Sequence, residues 1–154
     1  MEQKTLKALS LCPLFRGISL GQLEATIDSV GYKILKFDKK DIYILAGMPY
    51  RHADIVIEGE MVARMVSLSG KSVEVSRLKQ GDIVAPAFIF AKDNLMPVSV
   101  ETETATVILR MSIAGFERLI DTDPVLRHNF IQALSDIDVF LTKKMRILSL
   151  FTVR

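Results

Sequence analysis

Apolar positions along the chain fall into three regimes. In the first thirty residues they keep a helical period. Leu6, Leu9 and Leu11 lead to Pro13, Leu14-Phe15-Arg16-Gly17 reads as a turn, and Leu20, Leu23, Ile27 and Val30 recur every three or four residues. Ser19, with Gln22 three positions on, has the spacing of a capping box and predicts where the second helix begins. From Tyr32 the period falls to about two, and this predicts strands over 32–37, 42–45, 54–57, 61–68, 73–78, 98–103 and 106–111. Gly47, Gly59, Gly70 and Gly81 punctuate this region at intervals of 12, 11 and 11 residues. One short strand and one turn per interval predicts an antiparallel roll or barrel.

Beyond Met111 the helical period returns. Ser112 reads as the cap of a short helix carrying Phe116, Leu119 and Ile120, and Asp123-Pro124 as the N-cap and first residue of another. No Gly or Pro follows Pro124, which allows a helix of about 25 residues, or ~38 Å. The predicted fold class is therefore mainly β with flanking helices: an antiparallel β-roll of the double-stranded β-helix or jelly-roll type plus a long C-terminal helix. The predicted division is a helix-and-roll unit over 1–122 and the long helix over 123–154.

That helix carries Phe130, Leu134, Ile137, Leu141, Met145 and Leu148 at spacings of 4, 3, 4, 4 and 3, close to a heptad seam. Ile131, Val139, Phe140 and Ile147 lie outside the stripe. Two arrangements fit: both faces pack on the roll, or one packs there and the other meets a second copy of the chain. The basic residues Lys143, Lys144, Arg146 and Arg154 suit a helix C-terminus and need no nucleic acid to explain them.

Composition narrows the function classes. Apolar residues make up 49% of the 154 residues and charged residues 25%, which excludes intrinsic disorder. The formal net charge of +2 gives no basic footprint for nucleic acid. A single cysteine, Cys12, excludes a disulfide framework, a four-cysteine iron–sulfur site and a cysteine-type zinc site. No apolar run approaches the ~18 residues of a membrane span, and the N-terminus lacks a signal-peptide pattern, so a cytoplasmic protein is expected.

The order of elements, with Leu11-Cys12-Pro13-Leu14-Phe15, Glu58-Gly59-Glu60, Gln80-Gly81-Asp82-Ile83, and Val107–Ser112 followed by Phe116-Glu117-Arg118-Leu119-Ile120, resembles the cyclic-nucleotide-binding fold of the cAMP receptor protein and FNR-type regulators. The resemblance implies a sensory module in which the roll binds an effector and the long helix forms a homodimer. It also implies that DNA is read by a following helix-turn-helix domain, absent from these 154 residues, with RNA polymerase as a further partner; the alternative is a regulatory module of the same fold that acts through a protein partner instead of DNA.

Nucleotide-binding members of that family hold the cyclic phosphate in a cassette after the Gly-Asp turn. A Gly-Glu-Leu supplies a carboxylate to the ribose, and an Arg-Ser or Arg-Thr pair some ten residues later neutralises the phosphate. Here the first motif falls on Ala85, Pro86 and Ala87, and the second near Met96 and Pro97. No arginine lies between Arg77 and Arg110, and Lys92 is the only basic residue of the segment 85–98. Pro86 and Pro97 also lack an N–H. The resemblance thus implies an effector other than cAMP. Either Ala85, Pro86, Ala87, Phe88, Met96, Pro97 and Val98 line a pocket for an apolar effector such as haem, or the segment simply fills the roll.

Other chemistry has little support. His52 and His128 stand 76 positions apart and supply no clustered metal face, so no metal site is expected; haem ligation by His128 is the weak alternative. Phosphate loops and nucleophile elbows do not occur. Glu101 and Glu103 share a strand face at the spacing of solvated carboxylates, and catalysis is not expected.

Overall fold

The computed structural model describes residues 1–152, with side chains to residue 150. Arg154 lies outside the described residues. The N-terminal segment forms α1 (Gln3–Ser10), a 3-10 turn (Pro13–Phe15) and α2 (Leu20–Val30). At the start of α2 the capping box forms, with Gln22 N–H donating to Ser19 Oγ and Ser19 N–H to the Gln22 side chain.

Seven strands follow: β1 (Lys33–Phe37), β2 (Ile42–Ile44), β3 (His52–Glu58), β4 (Met61–Val66), β5 (Ser72–Leu78), β6 (Ser99–Thr102) and β7 (Thr106–Ser112). They build two antiparallel sheets, one ordered β1-β7-β3 and the other β2-β6-β4-β5. Buried Ile55, Val56, Met61, Val100, Ile108 and Leu109 make the core of this roll and its helical cover.

Strand boundaries agree with the alternation to within one residue, except that the start of β3 and the end of β4 differ by two. β3 starts at His52 because His52 and Ala53 pair with Ser112 and Met111. β4 stops at Val66 because residues 67–71 close a hairpin, in which Ser67 N–H donates to Lys71 O and Gly70 N–H to Ser67 O. All four punctuating glycines have positive φ. Gly59 needs it most: φ is +88°, and a Cβ there would run into Ala105 O and Thr106.

Two helices complete the chain, α3 (Ile113–Thr122) and α4 (Pro124–Thr152). Ser112 Oγ caps α3 by accepting from Gly115 N–H at 3.0 Å. Asp123 Oδ1 caps α4 by accepting from Val125 N–H at 2.9 Å. At 29 residues α4 is longer than the pattern suggested, about 44 Å. Its first half packs on the roll through Leu126, Phe130 and the half-buried Leu134, and Asn129 Nδ2 donates to Leu14 O and Arg16 O. From residue 138 to 150 every side chain is exposed.

Candidate functional site

The segment leading into the cassette is tied to β3. Gly81 N–H donates to Val56 O at 2.8 Å, Val56 N–H to Asp82 O at 3.0 Å, and Val84 N–H to Asp54 O at 2.9 Å. Ala85 then takes left-handed backbone, with φ +44°, and Pro86–Phe88 forms one 3-10 turn. Ile89 and Met96 are buried in the core, Met96 to 4% exposure. Phe88 and Val98 are half-buried against it, Ala85 and Pro86 are half-buried, and Ala87 and Pro97 are exposed. Ile89 and Met96 thus belong to the core beneath the cassette.

Phe90, on the cassette, meets Phe116 of α3 and Phe130 of α4, each at 5.9 Å between ring centroids. Phe116 and Phe130 are 5.1 Å apart, edge to face. Phe130 therefore needs correcting as a dimer-seam residue: at 3% exposure it belongs to the chain's own core. Leu134 and Ile137 are half-buried, whereas Leu141, Met145 and Leu148 are exposed, Leu141 to 49% and Met145 to 67%. Val139, Phe140 and Ile147 are exposed beside them. A cavity of about 580 Å³ separates α4 from β5, lined by Val75, Ser76, Asp136, Ile137, Phe140, Leu141 and Lys144.

A polar cluster inside the roll had not been read from the sequence. Asp54, fully buried, accepts from Arg110 Nε at 3.0 Å and Nη2 at 2.8 Å, and from the Tyr43 hydroxyl. Tyr50 Oη accepts from Asp54 N–H at 3.2 Å. Burial, with the charge of Asp54 beside them, pushes both phenols above the usual tyrosine range. Burial works against the Arg110 charge too, but its hydrogen bonds to Asp54 outweigh this and hold the guanidinium protonated. Two signals marked the pair: Arg110 interrupts the apolar run Val107–Met111, and Asp54 stands at a core position of β3.

Among the other sequence candidates, His52 is half-buried beside Arg110, and His128 is exposed on α4. Cys12 is buried, and desolvation pushes its thiol up to about 12. Glu101 pairs with Arg64 and Glu103 with Lys40, both at 3.1 Å. Among the described residues no three His, Cys, Asp or Glu side chains converge as a metal site, and no helix is long and apolar enough to cross a membrane.

Comparison with known proteins agrees with the architecture. A transcriptional regulator from Thermotoga maritima superposes with TM-score 0.72 and 28% identity, over 75% of this chain and 90% of that one. The catabolite activator protein of Thermus thermophilus gives TM-score 0.79 and 17% identity, over 89% of this chain, which spans 63% of that longer protein. The sensor domain of the transcriptional regulator DNR from Pseudomonas aeruginosa gives 0.72 and 17%, over 95% of both. Curated protein sequences give no significant match. The cyclic nucleotide-binding domain profile matches residues 34–123, from β1 to the start of α4. With more than half of its length matched and the two-sheet roll in place, the chain belongs to the cyclic nucleotide-binding domain family.

Proposed function

We propose that this chain is the sensory and dimerisation module of a bacterial transcription regulator, and that its effector is not a cyclic nucleotide. The observation that carries the reading is the exposed apolar stripe of α4 beyond Ile137, formed by Leu141, Met145 and Leu148 with Phe140 beside it. Each such side chain contributes about 1.5–3 kcal/mol when buried, and a second copy of the helix offers the same stripe in return. The kinship of the roll to transcription regulators supports the regulatory role. A non-catalytic domain acting as a homodimer, with DNA contacted through a separate domain, is the consistent assignment.

The cassette supports the second half of the proposal. Counted from Gly81-Asp82 by the family resemblance, Ala85-Pro86-Ala87 and Met96-Pro97 take the positions of the nucleotide binders' carboxylate and guanidinium, and Ile89 and Met96 are buried in the core beneath. Burying a phosphate without a paired cation costs several kcal/mol. An apolar effector would have to displace the packed side chains of Phe88 and Met96, and in doing so would shift the roll against α4 and bias the pair of long helices between two arrangements.

Light scattering at tens of micromolar protein tests the dimer. The expected mass is twice the chain mass, falling to a monomer in Leu141→Asp; a wild-type monomer overturns the dimer reading. Isothermal titration with cAMP and cGMP tests the effector. No heat of binding is expected, and a micromolar or tighter fit to either refutes that half.

A further inference from the structure

Two clefts open on either side of one wall formed by His52 and Arg110. The first, about 430 Å³, is lined by Tyr43, Ile44, Met48, Pro49, Tyr50 and Arg51 as well as that wall. The second, about 300 Å³, adds Val30, Gly31, Tyr32, Lys33 and Ser112. Strand register explains the grouping. Lys33 lies opposite Arg110, Arg110 opposite Asp54, and His52 opposite Ser112, so all five side chains stand on one face at one end of the β1-β7-β3 sheet.

The charge there is unbalanced. Four basic side chains (Lys33, Arg51, His52 and Arg110) line the two clefts, and among the described residues no carboxylate lines either. The nearest acid, Asp54, is wholly buried and held by both hydrogen bonds from Arg110. That pair fixes the guanidinium in place with a quarter of its side chain still exposed. Lys33 and Arg51 are exposed and form none of the chain's ion pairs among the described residues. The larger cleft also presents an apolar wall of Ile44, Met48 and Pro49.

We infer that these clefts form a binding site for a small organic anion, separate from the cassette. A carboxylate or phosphate head sits against Arg110, His52 and Arg51, and an apolar body lies along Ile44, Met48 and Pro49. A fixed, partly desolvated guanidinium is the usual partner for such a head, with Lys33 adding longer-range attraction. Burial first, then the charges of Arg110 and Lys33, lower the His52 pKa against the opposing pull of Asp54. An anion in the cleft reverses the effect of those cations and raises it, which makes His52 a reporter.

The experiment is an NMR titration of the His52 ring in the full chain, with His128→Gln leaving a single histidine signal. Phenyl phosphate, benzoate and inorganic phosphate serve as probes at constant ionic strength. Phenyl phosphate or benzoate is expected to shift the signal saturably and raise the His52 midpoint by roughly half a pH unit or more. Inorganic phosphate is expected to bind at least about fivefold more weakly, for want of the apolar body. Arg51→Gln and Lys33→Gln change only exposed side chains and are each expected to weaken binding about three- to tenfold. Titration curves matching those in sodium chloride, or affinities unchanged in the Arg51→Gln, Lys33→Gln double variant, overturn the site. Equal affinity for inorganic and phenyl phosphate overturns the organic ligand class. None of these outcomes depends on the cassette or on dimerisation.

Discussion

Replacing Asp54 by alanine removes the hub of the polar cluster in the roll. The carboxylate is fully buried and takes hydrogen bonds from Arg110 Nε, Arg110 Nη2 and the Tyr43 hydroxyl. Without it a guanidinium that is three-quarters buried loses its counter-charge, and a desolvated phenol loses its acceptor. Breaking a buried pair in this way costs about 3–5 kcal/mol. The partial exposure of Arg110 places this case toward the lower end, because water reaches one edge of the guanidinium. At about 2–4 °C per kcal/mol for a chain of this length, the thermal midpoint falls by roughly 6–12 °C. Urea unfolding at fixed protein concentration is the assay, since a dimer's stability varies with concentration. A loss below about 1 kcal/mol would refute the reasoning. The companion double variant Asp54→Leu, Arg110→Met leaves no charge stranded and is expected to recover most of the loss.

Three further outcomes follow from the same geometry. Ala85→Gly relieves left-handed backbone at φ +44° and is expected to raise stability by about 1 kcal/mol, measured by urea unfolding; a destabilised variant contradicts the strain. Gly59→Ala drives a methyl into Ala105 O and Thr106 at φ +88°, and a loss of about 2 kcal/mol or more is expected by the same assay. Cys12, with its thiol pushed up to about 12, is expected to react with iodoacetamide at pH 8 at least roughly a hundredfold more slowly in the folded chain than in urea. Comparable rates in the two states would show that the thiol is reached.

Local rules carried most of the fold. Each of the seven strands overlaps the span the alternation placed, to within two residues at either end, and three caps (Ser19, Ser112 and Asp123) work through the side chains their spacing suggested. What escaped is what depends on the third dimension. Phe130, Leu141 and Met145 share one stripe of α4, so periodicity could not say that Phe130 is covered by Phe116 and Phe90 while Leu141 and Met145, farther along the helix, are left exposed. Asp54 and Arg110 lie 56 residues apart, and only the pairing of β3 with β7 brings them opposite each other. The basic clefts were missed for the same reason, since Lys33, His52 and Arg110 come from three strands. The cassette, by contrast, was visible through what it lacks, although only the structure shows that Ile89 and Met96 sit in the core under it.

The contact between Phe90 and Phe130 gives α4 the mechanics of a pinned rod. It joins the cassette to the helix near one end, and about 33 Å of helix run from Phe130 to Thr152. A tilt of about 10° at the aromatic pin, equivalent to a sideways step of ~1 Å one turn away, therefore displaces the far end by roughly 6 Å. Packed aromatic rings resist compression, so in the regulator proposed above a small rearrangement of the cassette would reach the helix with little loss. The ratio of arm lengths, fixed by where Phe130 sits in the helix, would set the mechanical gain of such a sensor.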